Sequence, residues 1–573
     1  MREDGYLRKT GMQKALAQYG DPEFAVFLRK AFIKAMGYTD EALDRPIIGI
    51  VNTASDYNAC HQTVPELIAA ASRGVMLAGG IPMSFPVISL HESFASPTSL
   101  YLRNLMAMDA EEMIRAQPMD AVILVGGCDK TVPALLMGAV SAAVPAILLV
   151  TGPMLAGDWR GERVGACTDC RRFWARFRAG ELNAGQIAEV NSELAPTVGT
   201  CGVMGTASTM AMAAEAMGMM LPGGAAIPAV YADRRRNAER TGARAVAMAA
   251  EGLTPDRIVT EGAIRNAFRT VMAVGGSTNA IIHLTAIAGR AGVAVDLNAI
   301  DALGRETPVL VDLKPTGQHY MEDLHRAGGL TPVLRELGKL IDGACLTVTG
   351  RTLAENLADQ PADFGQTVVR KASDPVFPGG ALAVLRGNIA PRGAIIKQAA
   401  ADPGLLSHTG PAVVFDSLAD LAARIDDEAL EVTADSVLVL RNAGPKGAPG
   451  MPEAGYLPIP KKLGRLGVKD MVRISDARMS GTAFGTVVLH VTPEAAEGGP
   501  LALVRTGDLV RLDVPGRRID LLVDDAELAA RRAVLPLPDA PPERGYARLH
   551  STHVLQADGG CDLDFLTARG SAP

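Results

Sequence analysis

The sequence predicts an α/β N-terminal domain built on a parallel sheet, followed by a β-rich C-terminal domain. Up to about residue 365, short apolar runs alternate with helical stretches, and such alternation indicates a parallel sheet. Beyond that point helical periodicity fades, and short β-like runs are separated by glycine and proline, which is typical of a barrel or a sandwich. We therefore predict two domains, residues 1–368 and 369–573.

Composition limits the class of protein. The chain has 573 residues, of which 48% are hydrophobic and 21% charged, so a large core and more than one domain are expected. Aromatic residues make up 4% and the net charge is −7, which argues against a nucleic-acid partner. No apolar run reaches membrane-spanning length and the N-terminus lacks a signal-peptide core. We expect a cytoplasmic protein whose seven cysteines are thiols or metal ligands.

Residues 1–46 are predicted to be helical and peripheral, and those after Leu566 to fray. Four apolar runs then predict the strands of the parallel sheet: residues 46–52, 85–90, 121–125 and 146–150. Ligand sites in such sheets lie beyond the carboxyl ends of the strands. Cys60, Glu92 and Cys128 follow the first three runs, so we expect them at one edge. The C-terminal β-like runs are residues 380–385, 412–415, 436–440, 485–490, 508–513 and 518–523.

Three cysteines are candidate ligands of one metal centre. Cys60, Cys128 and Cys201 are far apart in sequence, but each stands in a loop with glycine or small neighbours. A single such cysteine is usually a small buried hydrophobe, whereas three at strand ends or helix starts favour a shared site. Three thiolates suit an iron–sulfur cluster with one iron open to substrate, and a three-cysteine zinc site is the alternative.

Cys167 and Cys170 form a C-x-x-C motif. The motif is typical of redox or zinc sites, but no second C-x-x-C is present to complete a zinc site. Packing is therefore our default interpretation of this pair. Cys345 and Cys561 have no motif context.

Oxygen ligands and a candidate base lie in other loops. Glu92, Asp129 and Glu453 occur in glycine- or proline-rich segments. Carboxylates are hard ligands that favour Mg²⁺, and a surface charge is the alternative for any one of them. Lys130 either pairs with Asp129 or is a chemically adaptable buried amine. Ser480 lies in a tight turn, where it is either a helix cap or an exposed nucleophile or base.

Five segments together resemble the dihydroxy-acid dehydratase and phosphogluconate dehydratase superfamily. They are GGCDKT (126–131), VGTCGVMGTAST (198–209), GGSTN (275–279), GPKGAPGMPE (444–453) and SDARMSG (475–481). The resemblance implies a β-barrel-like C-terminal domain and an active site between the domains or near a dimer interface. It also implies a hydro-lyase acting on a small molecule. Independently of the resemblance, a closed homo-oligomer is the usual expectation, so we expect a homodimer or homotetramer, and the composition predicts no nucleic-acid or membrane partner.

The resemblance assigns roles to the candidate residues. Cys60, Cys128 and Cys201 match the cluster ligands. The matches to the Mg²⁺ ligands are Glu92, Asp129 and Glu453, together with Lys130, whose counterpart is carbamylated. Ser480 matches the catalytic base, which acts as an alkoxide.

One departure points to a branch of the superfamily. The branched-chain amino-acid enzymes carry an Asp-Gly-Ile-Ala-Met-Gly-His pattern after the second strand, whereas this chain has HESFASP at residues 91–97. That looks like the sugar-acid branch, which acts on aldonates such as L-arabinonate or D-xylonate and is [2Fe-2S]-dependent. The cysteines alone do not separate this cluster from [4Fe-4S]. The alternatives are a dihydroxy-acid dehydratase of branched-chain amino-acid synthesis and a non-catalytic iron–sulfur or zinc-binding protein.

Overall fold

The computed structural model describes residues 11–14, 19–361, 364–536 and 540–568. Its N-terminal part contains a parallel sheet of β1 (Ile47–Asn52), β2 (Ile81–Pro86), β3 (Ala121–Gly126) and β4 (Ala146–Val150). The spatial order is β2-β1-β3-β4. Strands β3 and β4 are buried along their whole length, which explains why their sequences are continuous apolar runs instead of alternating ones.

A short antiparallel hairpin of β5 (Gly157–Trp159) and β6 (Glu162–Val164) and a series of helices complete this part of the chain. The helices are α1 (Pro22–Ala35), α2 (Val64–Leu77), α3 (Ser99–Ala116), α4 (Thr131–Ala142), α5 (Thr168–Arg178), α6 (Ala184–Glu193), α7 (Thr206–Ala216), α8 (Ala232–Glu251), α9 (Glu261–Ala273), α10 (Asn279–Arg290), α11 (Leu297–Glu306), α12 (Met321–Arg326), α13 (Thr331–Leu337) and α14 (Leu353–Asp359).

Helices α2 and α8 pack against each other at backbone distance. A methyl group added at Gly74 of α2 would overlap the Glu239 carbonyl of α8, and one at Gly242 would overlap the Ala71 carbonyl of α2. Each helix therefore needs glycine where the two cross. This pair lies against the sheet and helps to fix the strand ends that carry the site.

The C-terminal part is an eight-stranded sheet of β7 (Ala383–Leu385), β8 (Gly393–Ile396), β9 (Ser407–Phe415), β10 (Val437–Leu440), β11 (Arg473–Ser475), β12 (Val487–Thr492), β13 (Leu509–Asp513) and β14 (Arg518–Leu521). Its order is β14-β13-β9-β10-β11-β12-β8-β7. A bridge between Arg386 and Arg518 joins the two edges, so the sheet is a nearly closed barrel. Its helices are α15 (Leu418–Arg424), α16 (Lys461–Arg465), α17 (Asp525–Ala533) and α18 (Gly545–His553).

The predicted fold class is confirmed. Of the two architectures left open for the C-terminal domain, the structure shows the barrel and not the sandwich. The predicted second strand was wrong in position. Strand β2 ends at Pro86, where it pairs with the last residue of β1, Asn52, and after the Val87 N–H bond to the Asn52 carbonyl β1 offers no further residue for residues 88–90 to pair with. The sequence reading also missed β8 and β11, which are only four and three residues long.

Two predictions concern the chain ends. The N-terminal helical segment is confirmed for α1, while residues 1–10 and 15–18 lie outside the described residues, as do residues 569–573 of the segment expected to fray. Across the described ranges, no helix has both the length and the apolar character that a membrane crossing requires.

Candidate active site

The Cys128-Asp129-Lys130 segment joins β3 to α4 at the carboxyl edge of the N-terminal sheet. A methyl group at Gly127 would overlap the Thr151 hydroxyl, so only glycine brings the chain this close to the loop after β4. His61 fixes the segment, because its Nε2 accepts hydrogen bonds from the backbone N–H groups of Gly127 and Cys128 at 3.0 and 3.1 Å. Burial lowers the pKa of His61 to about 4, which keeps this nitrogen an acceptor.

The three predicted thiols lie in one pocket. Cys60 follows β1 in the short helical turn Ala59–His61, and its thiol interacts with that of Cys128. The hydrogen bond between the two thiols lowers the pKa of Cys60 to about 6. The same hydrogen bond raises the pKa of Cys128. The charge of Cys60 also acts on Cys201, and the imidazole of His91 hydrogen-bonds to Cys60. Two strand-end loops and the loop before α7 thus converge.

A fourth thiol lies in the same pocket. The Sγ atom of Cys167 is 3.7 Å from that of Cys201. Hydrogen bonds with Cys170 and Cys201 hold the pKa of Cys167 well below its usual range. The C-x-x-C motif was interpreted by default as packing, but the fold places its first cysteine beside a candidate ligand. The signal available in the sequence was the motif itself.

The three predicted carboxylates form a compact group. Ligand atoms of Glu92, Asp129 and Glu453 all lie within 4.8 Å of one another. Glu92 comes from the loop after β2, Asp129 from the loop after β3, and Glu453 from the loop after β10 of the barrel. The Cys128 sulfur lies 3.5 Å from Asp129 Oδ1, so the thiol pocket and the carboxylate group adjoin.

Two buried cations neutralise these acids. Lys130 Nζ lies 2.7 Å from Asp129 Oδ2 and 3.3 Å from Glu92 Oε2. Arg478 Nη2 and Nη1 bind Glu92 Oε1 at 2.8 Å and Glu453 Oε1 at 2.6 Å, which ties the two halves of the protein together. Sequence reasoning missed Arg478, although it lies two residues before Ser480.

The carboxyl groups differ in their electrostatics. Burial opposes ionisation of Glu92, but Arg478 and Lys130 overcome it and hold its pKa well below the usual range. Burial and the charge of Glu92 raise the pKa of Glu453 to about 7. A divalent cation would favour ionisation of the whole group, since opposite charge lowers a carboxyl pKa.

Ser480 lies in the loop between β11 and β12, on the barrel side of the site. Its Oγ is 2.8 Å from Thr482 Oγ1 and accepts a hydrogen bond from the Thr482 backbone N–H at 3.4 Å. The Thr482 carbonyl in turn accepts a 2.9 Å hydrogen bond from Thr168, which follows Cys167 directly. The serine loop therefore rests against the cysteine pocket.

Several polar atoms around the site are buried and have no hydrogen-bond partner among the described residues. They include Asn279 Oδ1, His283 Nε2, His490 Nε2 and Arg478 Nε. The charge of Arg478 contributes to lowering the pKa of both histidines, for which burial is the main cause. Buried polar groups are normally satisfied, so this set fits a polar ligand. Three carboxylates fit Mg²⁺, and clustered thiols fit an iron–sulfur cluster.

Comparison with known proteins identifies the family. Residues 45–356 match the N-terminal domain of the dihydroxy-acid/6-phosphogluconate dehydratases, and residues 367–561 match the C-terminal domain. The chain belongs to this family. As a member of the dihydroxy-acid/6-phosphogluconate dehydratase family it is an enzyme, a hydro-lyase, as its sequence predicts.

Two sugar-acid dehydratases share more sequence identity with this chain than a dihydroxy-acid dehydratase does. This chain is 49% identical to an L-arabonate dehydratase of Azospirillum brasilense, with 95% of each chain covered. It is 46% identical to a 6-deoxy-6-sulfo-D-gluconate dehydratase of Pseudomonas putida, with 93% of each covered. Identity to a dihydroxy-acid dehydratase of Solidesulfovibrio magneticus is 40%, over 97% of this chain and 98% of the relative. The predicted resemblance to the sugar-acid branch is thereby confirmed.

Proposed function

We propose that this protein is an iron–sulfur and Mg²⁺-dependent dehydratase that converts an aldonate to its 2-keto-3-deoxy acid. The observation that carries the proposal is the convergence of two unlike donor sets. Thiols of Cys60, Cys128 and Cys201 share one pocket, and the Glu92, Asp129 and Glu453 carboxylates lie directly beside it.

Each donor set has an assigned partner. Cys60, Cys128 and Cys201 would hold a [2Fe-2S] cluster, with [4Fe-4S] as the alternative. Glu92, Asp129 and Glu453 would hold Mg²⁺, and carbamylated Lys130 would add a further oxygen ligand. The Lys130 amine lies among these acids, so a carbamate built on it would remain within the group. When bound, Mg²⁺ would stabilise negative charge on the substrate, and the cluster would supply a Lewis acid for its C3 hydroxyl.

Ser480 acts as the base in this proposal. Its oxygen takes the C2 proton, the C2–H electron pair forms the C2–C3 double bond, and the C3–O bond breaks. The C3 oxygen leaves with the bonding pair as hydroxide, which takes up a proton from solvent and becomes water. The enol then tautomerises to the keto acid. The Thr482 N–H and hydroxyl lie at hydrogen-bond distance from Ser480 Oγ, which favours a serine alkoxide.

The substrate class is proposed from the relatives and from the site. The two sugar-acid dehydratases named above are 49% and 46% identical to this chain. Three buried atoms lack a hydrogen-bond partner within the described ranges, namely Asn279 Oδ1, His283 Nε2 and His490 Nε2, which suits a substrate with several hydroxyl groups. A dihydroxy-acid substrate is the second candidate, because a dihydroxy-acid dehydratase is 40% identical over nearly the whole chain.

A homo-oligomer is part of the proposal. Tyr57 and Phe94 are 75% and 68% exposed, and their rings lie 6.4 Å apart on the loops that carry Cys60 and Glu92. Exposed aromatic pairs of this kind are typical of protein interfaces. Light scattering after size exclusion should give a mass of two or four chains, and a monomer would contradict this part.

Activity on defined substrates tests the function. Anaerobically reconstituted enzyme is offered a panel of aldonates and 2,3-dihydroxyisovalerate, and keto-acid formation is measured. We expect the highest kcat/KM for an aldonate. Preference for 2,3-dihydroxyisovalerate would favour the second candidate, and a colourless protein that binds zinc and turns over neither would refute both.

Two variants separate the assigned roles. Ser480→Ala should keep the visible cluster spectrum and lose at least about 100-fold in kcat, the usual minimum for a proton-transfer group. Cys128→Ser should lose both spectrum and activity. Turnover at the wild-type rate in Ser480→Ala would refute the base assignment.

A further inference from the structure

The position of Cys167 has consequences beyond packing. Its sulfur lies 3.7 Å from that of Cys201. Thiolate ligands lie about 2.3 Å from a tetrahedral metal, which places two sulfurs on one metal atom roughly 3.8 Å apart. Cys167 and Cys201 are therefore spaced to bind a single metal atom together.

The four thiols of the pocket are arranged as two pairs. Cys60 interacts with Cys128, and Cys167 with Cys201. A [2Fe-2S] cluster with full thiolate ligation takes four cysteines, two on each iron. The pairing thus matches the ligand set of such a cluster, whereas the proposed function uses three of these thiols.

We propose that Cys167 is a fourth ligand of the cluster in the substrate-free enzyme and shares one iron with Cys201. The inference rests on the proposed function, since it presupposes the cluster. In this proposal, the Cys167 thiolate would occupy the iron position that substrate takes, until substrate binds. Substrate binding then displaces Cys167, which leaves as a thiolate without any change in oxidation state.

Cys170 and helix α5 adjoin Cys167 and would contact its thiolate after displacement. The Cys170 thiol hydrogen-bonds to that of Cys167. Cys167 immediately precedes α5, whose first residue, Thr168, bonds the Thr482 carbonyl. A movement of Cys167 is thereby adjacent to the loop that carries Ser480.

Spectroscopy of matched variants tests this inference without relying on turnover. Wild type, Cys167→Ala and the control Cys345→Ala, which removes a buried thiol of the N-terminal core, are reconstituted anaerobically. They are assayed for iron and sulfide, visible absorption, the EPR signal after reduction, and cluster lifetime in air. Far-UV circular dichroism checks folding. If Cys167→Ala does not fold, the near-isosteric Cys167→Ser replaces it, and its oxygen should also shift the spectrum.

We expect Cys167→Ala to keep its iron and sulfide, to differ from wild type in absorption and EPR, and to lose the cluster at least several-fold faster in air. Substrate should shift the wild-type spectrum towards that of Cys167→Ala, and Cys345→Ala without substrate should match wild type. A Cys167→Ala protein with the wild-type spectrum and lifetime would overturn this inference alone. A wild-type protein that takes up no iron and sulfide would overturn the proposed function as well.

Discussion

Arg478 is the residue on which the charge balance of the site depends. It is fully buried and bonds Glu92 from the N-terminal half and Glu453 from the barrel. Removing one partner of a buried ion pair leaves the other charge uncompensated, which costs far more than an exposed pair contributes.

Arg478→Met should therefore destabilise the metal-free protein by about 3 kcal/mol or more, measured by urea unfolding at neutral pH. Arg505→Met is the matched control, because Arg505 pairs with Glu527 at the surface with side chains 57% and 42% exposed, and it should cost less than about 1 kcal/mol. Equal losses in the two variants would contradict the assigned role.

Lys397 is a buried amine that has no carboxylate partner among the residues that the structure describes. It is fully buried, and its Nζ donates to the carbonyl of Gly481, the residue after Ser480, at 3.3 Å. Burial lowers its pKa to about 7. Between about pH 7 and the ordinary lysine pKa, the folded state thus binds fewer protons than the unfolded state, so the free energy of unfolding rises with pH in this range. Below about pH 7 the buried amine is charged, and its burial then destabilises the folded state to the full extent.

The free energy of unfolding of wild type should consequently rise between pH 7.5 and 9.5 relative to that of Lys397→Met, by up to about 1.4 kcal/mol per pH unit. Urea midpoints at several pH values measure the difference in slope. Lys469→Met, at an exposed position, should follow wild type. A Lys397→Met slope equal to that of wild type would contradict the prediction.

At the scale of elements, loops at strand ends bring the functional groups together, and closely packed helices fix those strands. The crossing of α2 and α8 depends on glycine at both contact points, since a methyl group at Gly242 would overlap the Ala71 carbonyl. Backbone cannot yield as a flexible side chain can, so the helices would have to separate.

Gly242→Ala should accordingly lower the free energy of unfolding by about 1–3 kcal/mol, despite the higher helix propensity of alanine. Gly464→Ala is the control, because Gly464 lies in α16 with nothing within 4 Å of the added methyl group, and it should be neutral or stabilising by up to about 1 kcal/mol. Thermal and urea unfolding of both variants give the comparison, and a stabilised Gly242→Ala would refute the packing argument.

At the scale of the whole molecule, the carboxylate group belongs to both halves of the chain. Glu92 and Asp129 come from the N-terminal part and Glu453 from the barrel loops. A cation bound by all three would link the halves and stabilise the folded state by mass action.

Mg²⁺ should raise the free energy of unfolding of chelator-treated protein in a concentration-dependent way. The increase should be about 2.7 kcal/mol when the Mg²⁺ concentration is a hundred times the dissociation constant, and it is measured from the shift of the unfolding midpoint. Glu453→Gln should remove most of this response, while Glu431→Gln, at an exposed position, should retain it. A response that survives in Glu453→Gln would exclude the barrel carboxylate as a ligand.

The sequence by itself determined the fold class and the local position of nearly every candidate residue. Buried parallel strands are continuous apolar runs, and ligand loops follow their carboxyl ends, so Cys60, Glu92 and Cys128 could be placed at one edge without a structure. Strand β2 was misplaced, because the end of a strand is set by the partner with which it pairs and not by its own apolar residues.

Only the tertiary structure decided which groups meet across long sequence separations. It brought Arg478 between two glutamates, placed Cys167 beside Cys201 and gave Lys397 no carboxylate partner within the described part of the chain. None of these follows from local pattern, because ion pairing, burial and sulfur–sulfur distances arise between segments that the fold alone brings together.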